Sequence, residues 1–249
     1  MKDTQPSIFK FEGLKLFYKQ LQAKKEILTF NEYNGQNCFL IRHDVDYDLN
    51  KALEMAKFES EMGIKATYFI LLSSNNYNAF TIENQEIILK IKNMGHEIGL
   101  HFDPSNLDND LTQQFENYIL FLSKIIHAPI FSVSLHNPSI HNEYPEFSGY
   151  NNAYSKRFFN PMNYLSDARF EFRGKEPFGF IETISNSVTQ ISLHPIHFSN
   201  EGITNYLPSL KEIFNKKILK FKGDLSENSK AAKELNSNNF IDDILNLLK

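Results

Sequence analysis

The sequence predicts a single-domain α/β protein, an irregular (β/α) barrel with fewer than the usual eight units. Three observations carry this. Short apolar or β-branched runs alternate with segments whose apolar residues recur at helical spacing. The connections are short, which implies parallel strands joined by right-handed crossovers. Several runs end abruptly in histidine or aspartate, as strands do at the working rim of such a barrel.

The elements follow in order. CFLIRH, residues 38–43, is a continuous run of the kind covered on both faces of a sheet. Asp48 caps the next helix, where Leu49, Ala52, Leu53 and Ala56 share a face and Gly63 closes it. KATYFILL, 65–72, is rich in β-branched and aromatic residues and reads as a second strand. Thr81 opens a helix with the stripe Ile87, Ile88, Ile91 and Met94, ended by Gly95. HEIGLHF, 96–102, is a third strand. A helix bearing Leu111, Phe115, Tyr118, Ile119, Leu122 and Ile126 leads to a fourth, IFSVSLH, 130–136. Beyond residue 137 the alternation loosens, with short strands expected at 164–168, 179–184 and 188–194. Helices are expected over about 208–221 and 230–248. One domain spans 1–249, with the motif-bearing region at about 38–198.

Composition narrows the class. The chain of 249 residues is 41% hydrophobic, enough for one large core, and a barrel of this length is routinely one domain. A net charge of -4 argues against a nucleic-acid partner. Cys38 is the only cysteine, so no intramolecular disulfide forms and a reducing compartment suits the chain. MKDTQPSIFKFEGLKLF at the N-terminus has charges interrupting every apolar stretch. It reads as neither a signal peptide nor an anchor, and no transmembrane segment follows, so a cytoplasmic location is expected.

LIRHDVDYD, 40–48, carries a buried strand straight into His43, Asp44, Asp46 and Asp48. Carboxylates this close repel unless solvent, a cation or a catalytic task holds them together. Other strand ends deliver His101 and Asp103, His136, and His194 to the same rim. Asp46, His101 and His136 offer a cation two imidazoles and one carboxylate, the three-ligand open pattern of a catalytic zinc-like site. Such an ion lowers the pKa of its water and polarises a carbonyl. Asp44, two residues from Asp46, projects to the same side of an extended segment and is placed to take a proton. His194 is placed to protonate a leaving amine or alkoxide. His96 reads as structural, His197 as supporting or solvent-facing, and His127 and His141 as helix-end and loop residues.

RHDVD after a strand, GHEIGLHFD at 95–103, SLHNPS at 134–139 and ISLHP at 191–195 together resemble the polysaccharide deacetylase superfamily. The likeness is closest to a divergent branch with RHDVD in place of T-F-D-D-G. NAYSKRFF, 152–159, and YLSDARFEFRG, 164–174, resemble segments of that branch. The resemblance implies a distorted (β/α)7-type barrel, a general base at Asp44, a metal-binding aspartate at Asp46 and a ligand histidine at His101. It also implies a general acid at His194, oriented by Asp167. The second histidine of the family's H-[ST]-x-x-H falls at Ser105, so His136 is assigned as the third ligand, with Asp103 competing. The loop after strand four lacks the family's arginine. Arg169 or Arg173 is a candidate to restrain the base, and Arg42 is closer in sequence. The cofactor implied is a divalent metal ion, zinc first.

Two functions from different classes follow. The first is a metal-dependent amidohydrolase that removes an N-acyl group, acetyl first, from an amino sugar. Its substrate would be a nucleotide- or lipid-linked precursor in cell-surface polysaccharide biosynthesis. The second is a non-catalytic carbohydrate-binding protein on the same fold.

Overall fold

In the computed structural model the run at 38–43 becomes an interior strand of a parallel sheet. The structure describes residues 6–106 and 110–228 and, beyond them, 230, 233, 234, 239, 242 and 246. Helix α1 (Phe11–Lys24) and the two-residue β1 (Ile27–Leu28) precede β2 (Phe39–Val45). β2 opens three strand–helix units, completed by α2 (Leu49–Glu61), β3 (Thr67–Leu71), α3 (Ile82–Asn93), β4 (Glu97–Phe102) and α4 (Leu111–Ile126). After β5 (Ser132–Leu135) come a single turn, α5 (Pro138–His141), and β6 (Asn151–Asn152). The rest is β7 (Tyr164–Ser166), α6 (Pro177–Thr183), β8 (Thr189–Leu193) and α7 (Leu207–Ser226).

Seven parallel strands lie in the order β6-β5-β4-β3-β2-β8-β7, with β1 beside the start of β2. Among the described residues β6 and β7 are not joined, so the sheet curls into an open, distorted (β/α)7 barrel. The chain forms two compact units, Met1–Gly202 and Ile203–Lys249. The barrel lies within the first and α7 within the second.

The helix caps expected from sequence are in place. Asp48 accepts from the Asn50 N–H at 2.8 Å and Thr81 from that of Asn84. His127 ends α4 in the left-handed conformation. Two expectations are corrected. The strand expected at 179–184 is helix α6, because Glu176 caps the Phe178 and Gly179 N–H groups and Pro177 occupies the first turn. Those two residues pre-set a helix start, which a short apolar run cannot resist. The N-terminal segment, assigned no element, forms α1. Its Phe11, Leu14, Tyr18 and Leu21 recur at helical spacing and are buried, and Phe17 meets Phe178 of α6 edge to face. The helix expected over 230–248 lies almost wholly outside the described residues.

The period of two along β2 sorts its side chains. Phe39, Ile41 and Val45 join the large core under the helices, and His43 faces the same way. Leu40 packs with Phe30, Cys38, Phe69 and Phe158 in a smaller cluster, while Arg42 and Asp44 on the same face line a cleft. The barrel interior is therefore apolar at the start of the strands and ionisable at their ends. Gly99 of β4 leaves room for this plug: a Cβ there would lie 2.5 Å from the Phe69 ring and 2.9 Å from the Ser132 carbonyl oxygen. Gly99→Ala is expected to lower stability by about 1–3 kcal/mol through overpacking, read from denaturant unfolding.

Beneath the helices Glu59 of α2 is fully buried. It accepts hydrogen bonds from the Tyr18 and Tyr68 hydroxyls at 2.5 and 2.7 Å, and His43 Nε2 lies 2.7 Å away. His96 is structural, its Nδ1 accepting the Ala66 N–H and its Nε2 donating to the Ala56 carbonyl.

Candidate active site and metal centre

Parallel strands put all their C-terminal ends at one rim, which is what gathers residues far apart in sequence. Asp44 lies in β2, and Asp46 one residue past its end. His101 is the penultimate residue of β4. His136, Asp167 and His194 each follow directly on the last residue of β5, β7 and β8. An open cleft of about 430 Å³ is lined by Arg42, Asp44, Asp46, His101, His136 and His194 among others.

Asp46 Oδ1 lies 3.2 Å from His101 Nε2 and 3.4 Å from His136 Nδ1, and those two nitrogens are 3.2 Å apart. A tetrahedral zinc with bonds of about 2.0–2.1 Å places its ligand atoms roughly 3.3–3.4 Å apart, so the three atoms match the edges of one ligand face. Asp46 Oδ1 is buried and makes no well-formed hydrogen bond with either ring. His101 Nδ1, 3.2 Å from the Ser134 carbonyl, donates there and leaves Nε2 free to bind a cation. Burial opposes the charge of Asp46, but the two imidazoles outweigh it and hold its pKa well below the usual carboxylate range. Burial also opposes charge on His136, yet Asp46 first and then Asp103 and Asp44 raise its pKa. The residues present fit a divalent cation.

Of the two candidates for third ligand, His136 is the one brought to Asp46 and His101. Asp103 accepts from the Ser105 N–H and hydroxyl at 3.0 and 2.6 Å, closing a turn. Ser105 is exposed and holds no position in the trio.

Asp44 is 5% exposed; its Oδ2 lies 3.2 Å from Arg42 while Oδ1 has no hydrogen-bond partner. Arg42 also donates to the Ser134 and Tyr154 hydroxyls, each at 2.9 Å, and stacks on the Tyr154 ring. Burial works against this guanidinium, but Asp44 and the tyrosines raise its pKa further. Arg42, rather than Arg169 or Arg173, is thus the cation beside Asp44. Ser134 and Tyr154 were not singled out in the sequence, because a lone serine or tyrosine carries no positional signal.

Fully buried Asp167 accepts from His194 Nδ1 at 2.6 Å and His197 Nδ1 at 2.8 Å. The His194 backbone N–H also donates to it. These separations are hydrogen bonds, shorter than the edges of a metal ligand face. Asp167, His194 and His197 are thus joined by hydrogen bonds, although they too cluster closely enough to touch one ion. Burial disfavours the His194 imidazolium, but Asp167, followed by Asp46 and Asp44, pushes its pKa up to about 10.

Fold and site define an open parallel (β/α) barrel with an ionisable, cation-compatible rim. The sequence matches no family model and no curated protein. Among solved structures the chain is similar to members of carbohydrate esterase family 4. One is a family 4 pseudoenzyme from Bacillus anthracis, at 11% identity and a TM-score of 0.43, covering 73% of this chain and 62% of that one. Another is a family 4 carbohydrate esterase from Bacillus anthracis, at 18% identity and a TM-score of 0.40, covering 84% and 86%. A third is a family 4 acetyl xylan esterase from Clostridium thermocellum in complex with a cobalt ion, at 15% identity and a TM-score of 0.42, covering 74% and 91%. The chain spans under two thirds of the length of the pseudoenzyme it matches. Among the described residues, no helix is long and apolar enough to cross a membrane.

Proposed function

We propose that the chain is a metal-dependent amidohydrolase of the polysaccharide deacetylase type, removing an N-acyl group, acetyl first, from an amino sugar. The observation that carries this is the trio Asp46, His101 and His136 at ligand-face spacing, with a buried carboxylate on one side and a histidine–aspartate pair on the other. These three residues would hold a divalent cation, zinc by the donor set. When bound, it polarises the acyl carbonyl and acidifies the attacking water.

The chain's own groups then divide the proton transfers. Asp44 Oδ1, buried and unbonded, is the acceptor for the proton of the attacking water, and Arg42 holds the carboxylate in place through Oδ2. His194 is the acid. Asp167 fixes its Nδ1, so Nε2, which lies 3.9 Å from Asp46 Oδ2, carries the proton for delivery to the departing amine. Asp167 raises the pKa of that imidazole and so favours its protonated, proton-donating form. The substrate fitting this reading is a nucleotide- or lipid-linked precursor made in the cytoplasm for a surface polysaccharide.

The test is acetate release from a panel of N-acetylated sugar precursors by metal-loaded protein. Asp44→Asn is expected to lower the rate about 10²–10⁴-fold while bound metal is retained, since it removes the proton acceptor. Metal and sugar binding with no acetate release across the panel would replace this reading with the non-catalytic carbohydrate-binding one.

A further inference from the structure

We infer that the sugar bound in this cleft carries an anionic group, phosphate or carboxylate, and that Arg173 binds it. The inference rests on the deacetylase reading and narrows its substrate class.

Arg42, Asp44, Asp46, His101, His136, Arg173 and His194 are the acidic, basic and histidine residues lining the cleft. Six of them have partners. Arg42 pairs with Asp44, Asp46 faces His101 and His136, and His194 is bound to Asp167. Arg173 is the exception: among the described residues it makes no ion pair and no hydrogen bond. The nearest cation in the chain, Lys175, directs its Nζ to the carbonyls of Pro161 and Tyr164, so it adds charge of the same sign. A guanidinium left open in a reaction cleft presents the planar donor fork that matches phosphate and carboxylate oxygens.

The segment holding Arg173 is shaped at a cost. Between β7 and α6, Arg169, Phe170 and Arg173 all adopt left-handed backbone, with φ of 63°, 58° and 51°. Residues other than glycine adopt this conformation at a cost, so the surroundings must hold it. Aromatic packing does this: Phe170 lies against His197 at 3.9 Å between ring centroids, and Phe9 stacks on Phe172. Pinned on both sides, the loop delivers Arg173 to the cleft. Arg169 has the same charge and the same backbone conformation but does not line the cleft, which makes it an internal control.

Isothermal titration of the full, metal-loaded chain tests this with three ligands. These are methyl N-acetylglucosaminide, N-acetylglucosamine 1-phosphate and N-acetylglucosaminuronic acid. The anionic sugars are expected to bind roughly 10- to 100-fold more tightly than the neutral one, the range of a charge-assisted contact. Which anionic sugar leads identifies the group. Arg173→Ala is expected to collapse that preference toward unity, Arg173→Lys to keep part of it and Arg169→Ala to keep all of it. Equal affinity for charged and neutral sugars, a preference that survives Arg173→Ala, or no binding of any of the three overturns the inference. Acetate release without an anionic preference sinks this inference alone. An Arg173-dependent preference without acetate release from any sugar sinks the hydrolase reading and leaves the anion site standing.

Discussion

Purified His101→Ala protein is expected to lose its divalent metal, falling from near one ion per chain to background, and to lose more than about a hundredfold in hydrolytic rate. Substitutions one shell out from a metal ligand already cost about 10–100-fold, and His101 would be a ligand itself. Its Nε2 completes a triangle with Asp46 Oδ1 and His136 Nδ1 whose sides run from 3.2 to 3.4 Å. Removing one corner leaves an aspartate and one imidazole, too few protein ligands for the open three-ligand pattern. Elemental analysis of wild type, His101→Ala and His194→Ala decides the matter. Metal kept in His101→Ala but lost in His194→Ala would move the ion to the Asp167, His194 and His197 group and overturn the assignment. The opposite result leaves His194 its role as a proton donor.

Glu59→Ala is expected to destabilise the barrel by about 3–5 kcal/mol, the usual consequence of removing one member of a buried charged network. For a chain of this size that is a fall of roughly 10 °C in melting temperature. The Tyr18 and Tyr68 hydroxyls would lose their acceptor and His43 its carboxylate, all within a region closed to water. Burial pushes the Glu59 pKa up, but His43 above all, with His96 and Tyr18, brings it below the ordinary value. A carboxyl held low in the folded state contributes stability that is full above its unfolded pKa. That contribution is lost as pH falls through the lower folded value. The gap between wild type and Glu59→Ala should therefore be widest at neutral pH and narrow below about pH 4. Thermal unfolding between pH 3 and pH 7 checks it. Equal melting temperatures at pH 7, or a gap that widens in acid, would show that the network does not support the fold in this way.

The first four major strands were legible because each is a run with a cap or glycine at its flanks. β2, β3, β4 and β5 fall where the sequence places them, within two residues. The second half was harder to read. The run at 179–184 is apolar enough for either element, and Glu176 with Pro177 decided for helix. α1 is hard to read from sequence because charges interrupt its apolar stretches, although the apolar positions repeat at helical spacing. β1 and β6 are two residues each, too short for any periodicity to show.

For the site, residue type and strand-end position brought Asp44, Asp46, His101, His136 and His194 into view, and the family resemblance added Asp167. Sequence by itself thus determined the alternation of strands and helices and the chemistry delivered to the rim, because both are written in local spacing. Only the tertiary structure decided partners. It put Arg42 beside Asp44, set His136 rather than Asp103 against Asp46 and His101, and turned Asp103 to Ser105. The physical reason is that contacts across a curled sheet depend on register and curvature. Residues such as His101 and Ser134, 33 apart in the chain, meet only when β4 and β5 pair.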